Sequence, residues 1–282
     1  MNYQSRLKLH LAAYKLARLG IKEPGLFRYQ GRDVYHAHIL PKAQSSANLL
    51  AEASRDALSF LETNPRKRHK DFHHLNSSQA LAFNLFFAYF GPSVVSLGSN
   101  EAVSSSLLRA LGQDGRLLCW EPELVPDVDE QSNIDVAWTS VGGAKTFCEV
   151  KLSEAEFGRA KDDSDHRNKL ERIYRDALEK YLTPDRLEPA RFFREYQFNR
   201  NLWHMVQTPE SRLVFLLPRA NSRLWQQLQT LLTGVLPPAR ARVSAIAIED
   251  VILRLLNDAI LPEEFRRYAA ELSQKYLFSD IP

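Results

Sequence analysis

Residues 133–152 read NIDVAWTSVGGAKTFCEVKL. Two apolar runs, Asn133–Ser140 and Lys145–Leu152, flank Val141-Gly142-Gly143, which is the composition of a β-hairpin. Both runs carry charge inside an apolar setting. Asp135 stands between Ile134 and Val136, while Glu149 and Lys151 alternate with Cys148, Val150 and Leu152. Side chains alternate across a strand, so Phe147, Glu149 and Lys151 share one face. An acid and a base in an apolar strand are costly to bury without partners. The turn decides whether Asp135 can join them. A two-residue turn at Gly142-Gly143 pairs Asp135 with Val150 and sends the two acids to opposite faces. A three-residue loop over 141–143, with Gly143 left-handed at its end, sets Asp135 opposite Glu149. The odd-length loop is the expectation.

With that register two carboxylates converge beside one ammonium. Hard oxygen ligands of this kind suit Mg²⁺ or Mn²⁺ with several waters retained. Such an ion makes bound water more acidic and neutralises charge developing on a phosphate. Lys151 can orient or deprotonate the attacking water, or stabilise the transition state. The chemistry implied is phosphodiester hydrolysis. The bland alternative is a salt bridge at a strand end. A lone Glu-x-Lys is common by chance, and the weight here comes from its strand setting and from Asp135. The chain also contains a literal Pro126-Asp127, but Asp127 lies with Asp129 and Glu130 in a polar segment that reads as loop. Asp135 is the better candidate.

Working outward, a strand is expected at Arg116–Glu123 before the hairpin. Upstream, a helix opening at Asn76, with Gln79 as capping-box partner, runs to Gly91-Pro92. It is apolar nearly all round, as a buried helix is. A shorter helix is expected at about 101–111. Helices are also expected at 3–18 and 44–63, with a strand-like piece, Asp33–Leu40, between them. Downstream come a polar helical stretch at 159–183, one long helix from Pro189 to Gln207, and strands at Arg212–Leu217 and Val243–Ile248 around a helix near 221–234. Helices near 250–257 and 262–275 finish the chain. The expected class is α/β, built on a helix, three-strand meander, helix and strand. A helical N-terminal elaboration over 1–72 precedes a domain over 73–282.

This order and the charged hairpin resemble the PD-(D/E)XK nuclease superfamily, the restriction-endonuclease-like fold. Leu75-Asn76-Ser77-Ser78-Gln79, Glu149-Val150-Lys151 followed by Glu156-Phe157-Gly158, and Tyr196-Gln197-Phe198-Asn199-Arg200-Asn201 resemble a bacterial family of restriction-endonuclease-like proteins within it. The matches span about residues 73–220. The resemblance implies Mg²⁺-dependent cleavage of DNA, carried over to Asp135, Glu149 and Lys151. Related nucleases often draw a further acid from an upstream element. Glu121, Glu123 and Glu101 qualify by position, with Glu121 preferred as a metal ligand. Some also place a Gln on the helix after the hairpin, where Gln197 would hold a water or Lys151. Gln197, Arg200 and His204 form one helix stripe, and Arg200 could hold a phosphate.

The whole chain sets bounds. Its 282 residues carry 37 Lys and Arg against 34 Asp and Glu, a mild net charge of +3. That permits a polyanionic partner without demanding one. The basic run Arg66-Lys67-Arg68-His69-Lys70 suits phosphate contacts, or else is a solvated loop. No apolar run approaches the roughly 20 residues that span a bilayer, so no membrane is expected. The expected compartment is a bacterial-type cytoplasm. Cys119 and Cys148 build no disulfide framework. The pairs His36/His38 and His73/His74 lack an evident third metal ligand. The leading expectation is a metal-dependent deoxyribonuclease acting in restriction, defence or repair. A catalytically idle nuclease fold that binds DNA is the alternative. A homodimer would suit cutting both strands.

Overall fold

The structure is a computed structural model that describes residues 1–92, 101–142 and 144–278. Helix α1 (Tyr3–Leu19) leads to a hairpin of β1 (Gly25–Tyr29) and β2 (Arg32–His36), then α2 (Ala51–Thr63), α3 (Ser78–Phe90) and α4 (Glu101–Ala110). The meander is β3 (Leu117–Leu124), β4 (Ile134–Ser140) and β5 (Lys145–Val150). Helices α5 (Ser164–Lys169), α6 (Arg175–Leu178), α7 (Pro189–Arg194) and α8 (Tyr196–Val206) follow. Then come β6 (Arg212–Leu217), α9 (Ser222–Thr233), α10 (Pro237–Arg240), β7 (Val243–Ala247), α11 (Ile248–Leu256) and α12 (Glu263–Tyr276).

The expected mixed α/β class holds. The five-stranded sheet runs β3-β4-β5-β6-β7, antiparallel through the meander and parallel from β5 to β7. Alternation along the central strands divides the interior into two cores. Val136, Trp138, Cys148, Val150, Val214 and Leu216 pack against α3 and the N- and C-terminal helices. Ala137, Phe147, Leu213, Phe215 and Leu217 face the other way, toward α8 and α9. Helix α3 is buried on all sides, and its Phe86 lies against Trp138 and Trp120. Burial of that much aromatic surface is the main force joining the helical layer to the meander.

Several local expectations change. Ser77, not Asn76, caps α3, accepting from the Ala80 N–H. Gln79 is no capping partner, because its amide reaches Glu123 instead. The helix expected over 44–63 begins only at Ala51. Before it, Asn48 donates to the carbonyls of Phe72 and His74, and Asn84 accepts from the Leu50 N–H, holding that stretch out of the helix. The helix expected over Pro189–Gln207 is two, broken at Glu195, whose φ and ψ are −111° and 21°. Glu195 is held there by a buried pair with Arg186. The strand-like segment before Pro41 is strand only over Arg32–His36, as the second half of a hairpin whose first half, β1, sequence reasoning does not place.

Residues on both sides of position 72 share the first core. A buried polar network ties them further. Lys275 on α12 is fully enclosed, donates to the Asn48 carbonyl and Oδ1, and lies over the rings of Tyr14 and Tyr276. Asn84 donates to the same Asn48 carbonyl and to Tyr276 Oη. Burial drops the Lys275 ammonium to about 7. The charged form therefore weighs against folding, fully below that value and less as pH rises toward the unfolded lysine range. Relative to Lys275→Met, the wild type should gain up to ~2 kcal/mol between pH 7 and pH 9 in urea midpoints. Parallel curves for the two proteins would contradict this.

Candidate active site

The hairpin has the expected register. Val136 pairs with Cys148, and Thr139 with Lys145, so Asp135 falls opposite Glu149. The loop is the odd one: the Ser140 N–H donates to the Ala144 carbonyl, leaving 141–143 between them. Gly142 adopts φ 109°, which favours glycine. Gly143, expected to be left-handed, lies outside the described residues. On the other side of β4, Pro122 pairs with Val136 and Leu124 with Ile134, placing Glu123 opposite Asp135. Glu123, Asp135 and Glu149 thus form one row across three strands.

Each acid has its own support. Glu149 is 1% exposed. Its Oε1 accepts from Gln197 Nε2 at 2.7 Å and faces Lys151 Nζ at 2.8 Å, and its Oε2 accepts from Asn201 Nδ2 at 2.8 Å. Gln197 Oε1 accepts from Lys151 Nζ at 2.8 Å and from the Gly158 N–H at 2.9 Å. Gln197 therefore bridges both members of the Glu-x-Lys pair. Gly158 permits this: a Cβ there would stand 3.1 Å from Gln197 Oε1. Asp135 Oδ2 accepts from the Val150 N–H at 2.8 Å. Glu123 accepts from Gln79 at 2.7 Å and Asn133 at 3.0 Å.

Burial raises the Asp135 carboxyl well above the usual carboxylate range, and Glu149 and Glu123 push it further, against Lys151 and the Val150 N–H. Burial also raises Glu123, helped by Glu149 and opposed by Gln79, Asn133 and Lys67. For Lys151, burial opposes the charge, but Glu149, Glu154 and Asp135 outweigh it and hold the ammonium above the ordinary lysine value. Of the roles open to Lys151, donating to an oxygen fits this charge better than abstracting a proton.

The donors suit a hard divalent cation. Asp135 is half-buried, and among the described residues its Oδ1 makes no hydrogen bond. Acids that hold protons this tightly mark a place short of positive charge. Among the described residues no group of three or more His, Cys, Asp or Glu is placed so that it could hold a metal ion. Mg²⁺ commonly takes one or two carboxylates and keeps its waters, a donor set of the kind that Asp135 with Glu149 would offer.

The other expected residues lie elsewhere. Glu121 is half exposed and faces Lys67 at 3.5 Å, outside the row, and Glu101 faces Arg116. Glu123 takes the position expected of Glu121, because β3 is irregular: its register shifts between Leu117 and Cys119, and Glu123 has φ 51°. Arg200 does not point free toward a phosphate. Its Nη2 donates to the Asn133 carbonyl and Asn201 Oδ1, bracing two residues of the site. Arg66, Arg68 and Lys70 are exposed, and Lys67 is partly so. Asp127 is a turn residue that accepts from the N–H groups of Asp129 and Glu130. His204 turns to buried Glu130, whose charge is held by His204, Ser132 and Tyr174 against its burial. Cys148 is a core residue whose thiol burial pushes up. Asn201 and Gly158 were missed as site residues. Asn201 was readable as one helical turn beyond Gln197, whereas Gly158 needed the fold.

The match of a family model to nearly the whole chain gives its class, a restriction-endonuclease-related protein. The chain belongs to the family described as Restriction Endonuclease associating with ARP, whose model matches residues 8–277. No curated protein and no solved structure matches it. Among the described residues no helix is long and apolar enough to cross a membrane.

The raised Asp135 carboxyl has a stability consequence. The folded form holds that proton more tightly than the unfolded chain, so the stability it gives at low pH is lost as pH rises through its folded value. Asp135→Asn should therefore be more stable than wild type at pH 8 without divalent metal, with the gap narrowing toward acid pH. A variant no more stable than wild type at pH 8 would contradict the electrostatics.

Proposed function

We propose that this protein is a metal-dependent deoxyribonuclease of the PD-(D/E)XK kind, hydrolysing DNA phosphodiester bonds. The observation that carries the proposal is the row of Glu123, Asp135 and Glu149 with Lys151 folded onto Glu149. The order of helix α3, strands β3 to β5, helix α8 and strand β6 agrees with the restriction-endonuclease-like core. Membership in a family of restriction endonucleases supports a nuclease and DNA as substrate. Restriction, defence or repair would each use such a site.

Asp135 Oδ1 and Glu149 would hold Mg²⁺ or Mn²⁺, with Glu123 close by. When bound, the ion supplies Lewis acidity at the phosphate and lowers the pKa of water. The protein's own residues do the rest. Lys151 presents a fixed ammonium that donates to the attacking water or to a phosphate oxygen. Gln197 sets its direction by accepting from Nζ while donating to Glu149. Asn201 fixes the second Glu149 oxygen, so the carboxylate cannot turn. Preorganised charge of this kind is usually the largest contribution to such catalysis. The exposed Arg66, Arg68 and Lys70, with Lys67, offer phosphate contacts beside the acids. Two copies of the chain would provide two sites for cutting both strands. A DNA-binding fold without activity would not need this complete acid and lysine set.

Supercoiled plasmid incubated with Mg²⁺ or Mn²⁺ should be nicked or linearised by the wild type. Lys151→Ala and Asp135→Asn should each lose at least ~10²-fold in rate, the scale for removing one stabilising group of an active site. Equal cleavage by all three proteins would remove the mechanism.

A further inference from the structure

The β1–β2 hairpin contributes to neither hydrophobic core. From Arg28 to Tyr35 every residue is exposed, on both faces of the ribbon. Its register sets Tyr29 beside Arg32 and Arg28 beside Asp33. Tyr29 is 55% exposed and Tyr35 63% exposed. A two-stranded hairpin with no buried face gains little stability, so these rings serve no core. Arg28 pairs with Asp33 at 3.0 Å, whereas among the described residues Arg32 has no ion-pair partner. The tip is Gln30-Gly31, with φ of 48° and 77°. Glycine adopts such angles freely and glutamine does not, so a long polar side chain stands at the tip against backbone preference.

The base of the hairpin is fixed to the segment that borders the proposed active site. His73 Nε2 donates to the Leu26 carbonyl at 3.1 Å, and Phe27 meets the His74 ring edge-on at 5.4 Å. That segment continues forward to Asn76, which donates to Ser153 Oγ at 2.7 Å, two residues beyond Lys151. It continues backward into the basic run. There Gln79 accepts from the His69 N–H and donates to the Lys67 carbonyl and to Glu123. Hairpin, basic run and acids are thus held on one connected frame. Arg32 adds to the positive charge of exposed Arg66, Arg68 and Lys70, which favours a polyanion over a protein partner.

Resting on the nuclease reading, we propose that this hairpin is an arm that enters the major groove of duplex DNA beside the phosphate held at the acids. The dimensions fit. The major groove, about 12 Å wide and about 8.5 Å deep, admits a two-stranded ribbon, whereas a minor groove about 6 Å wide does not. From Phe27, held by His74, to Gln30 at the tip is three residues, about 10 Å at the strand rise. The tip therefore reaches the base edges. Its free side chains suit them, since arginine donates to guanine and glutamine pairs with adenine in that groove. The exposed Tyr29 and Tyr35 hydroxyls donate to phosphate oxygens along the groove walls.

The test is binding of a mixed-sequence duplex with A·T runs, followed by fluorescence anisotropy with Ca²⁺ in place of Mg²⁺. The wild type is compared with the double variant Gln30→Gly, Arg32→Ala. Glycine eases the tip backbone and Arg32 is unpaired, so the variant should keep the wild-type melting temperature. It should bind about 10-fold more weakly, the scale of one lost base contact. Netropsin, which fills the minor groove, should leave that difference in place. Equal affinity of the two proteins would overturn the proposal, as would a difference abolished by netropsin or a wild type that binds no duplex. Plasmid nicking with Mg²⁺ separates the two readings. Nicking by a wild type that binds no tighter than the variant sinks the arm alone, and arm-dependent binding without nicking sinks the nuclease reading alone.

Discussion

The structure depends on the cost of burying Glu149. A carboxylate in the middle strand of a five-stranded sheet cannot stay charged there without donors on every side. Gln197, Asn201 and Lys151 supply them. Much of the surrounding architecture can be understood as placing those three groups. Helix α8 starts afresh after a break at Glu195, and its first two turns carry Gln197 and then Asn201 onto the sheet. Gly158 lets a loop backbone close over Gln197 from the far side. Arg200 braces Asn201, and buried Glu130 with His204 fixes the lower part of the same helix.

The remaining acids are less well satisfied than Glu149. Among the described residues Asp135 keeps one oxygen free of protein donors, and both it and Glu123 hold protons more tightly than ordinary carboxylates. A fold selected for stability alone would pair or remove them. On the proposed nuclease reading, their place in a row beside an ammonium held charged is the trade of stability for reactivity that active sites commonly show. The two hydrophobic cores pay for it on either face of the sheet.

The helical layer over the other face has its own link to the site. Gln79 projects from buried helix α3 and joins the Lys67 carbonyl to Glu123. The basic run and the row of acids are thereby held in fixed relation. On the proposed nuclease reading, a strand of DNA crossing them would meet positive charge and the acids in a set order.

The sequence by itself determined the meander, the three-residue loop and hence the meeting of Asp135 with Glu149. Those follow from local alternation and from the arithmetic of one turn, which act over a dozen residues. It also marked Pro126-Asp127 as loop and Cys148 as core, since polarity and strand parity are local. Tertiary structure decided the rest. Glu123, not Glu121, joined the row because a positive φ and a shifted register overrode alternation in β3. Gln79 left its expected cap for a partner 44 residues away. Asn201 became a holder of Glu149, and Arg200 a brace, only once the break at Glu195 had set the rotation of α8. Each of these depends on long-range pairing of buried polar groups, where the penalty for an unmet hydrogen bond exceeds any local preference.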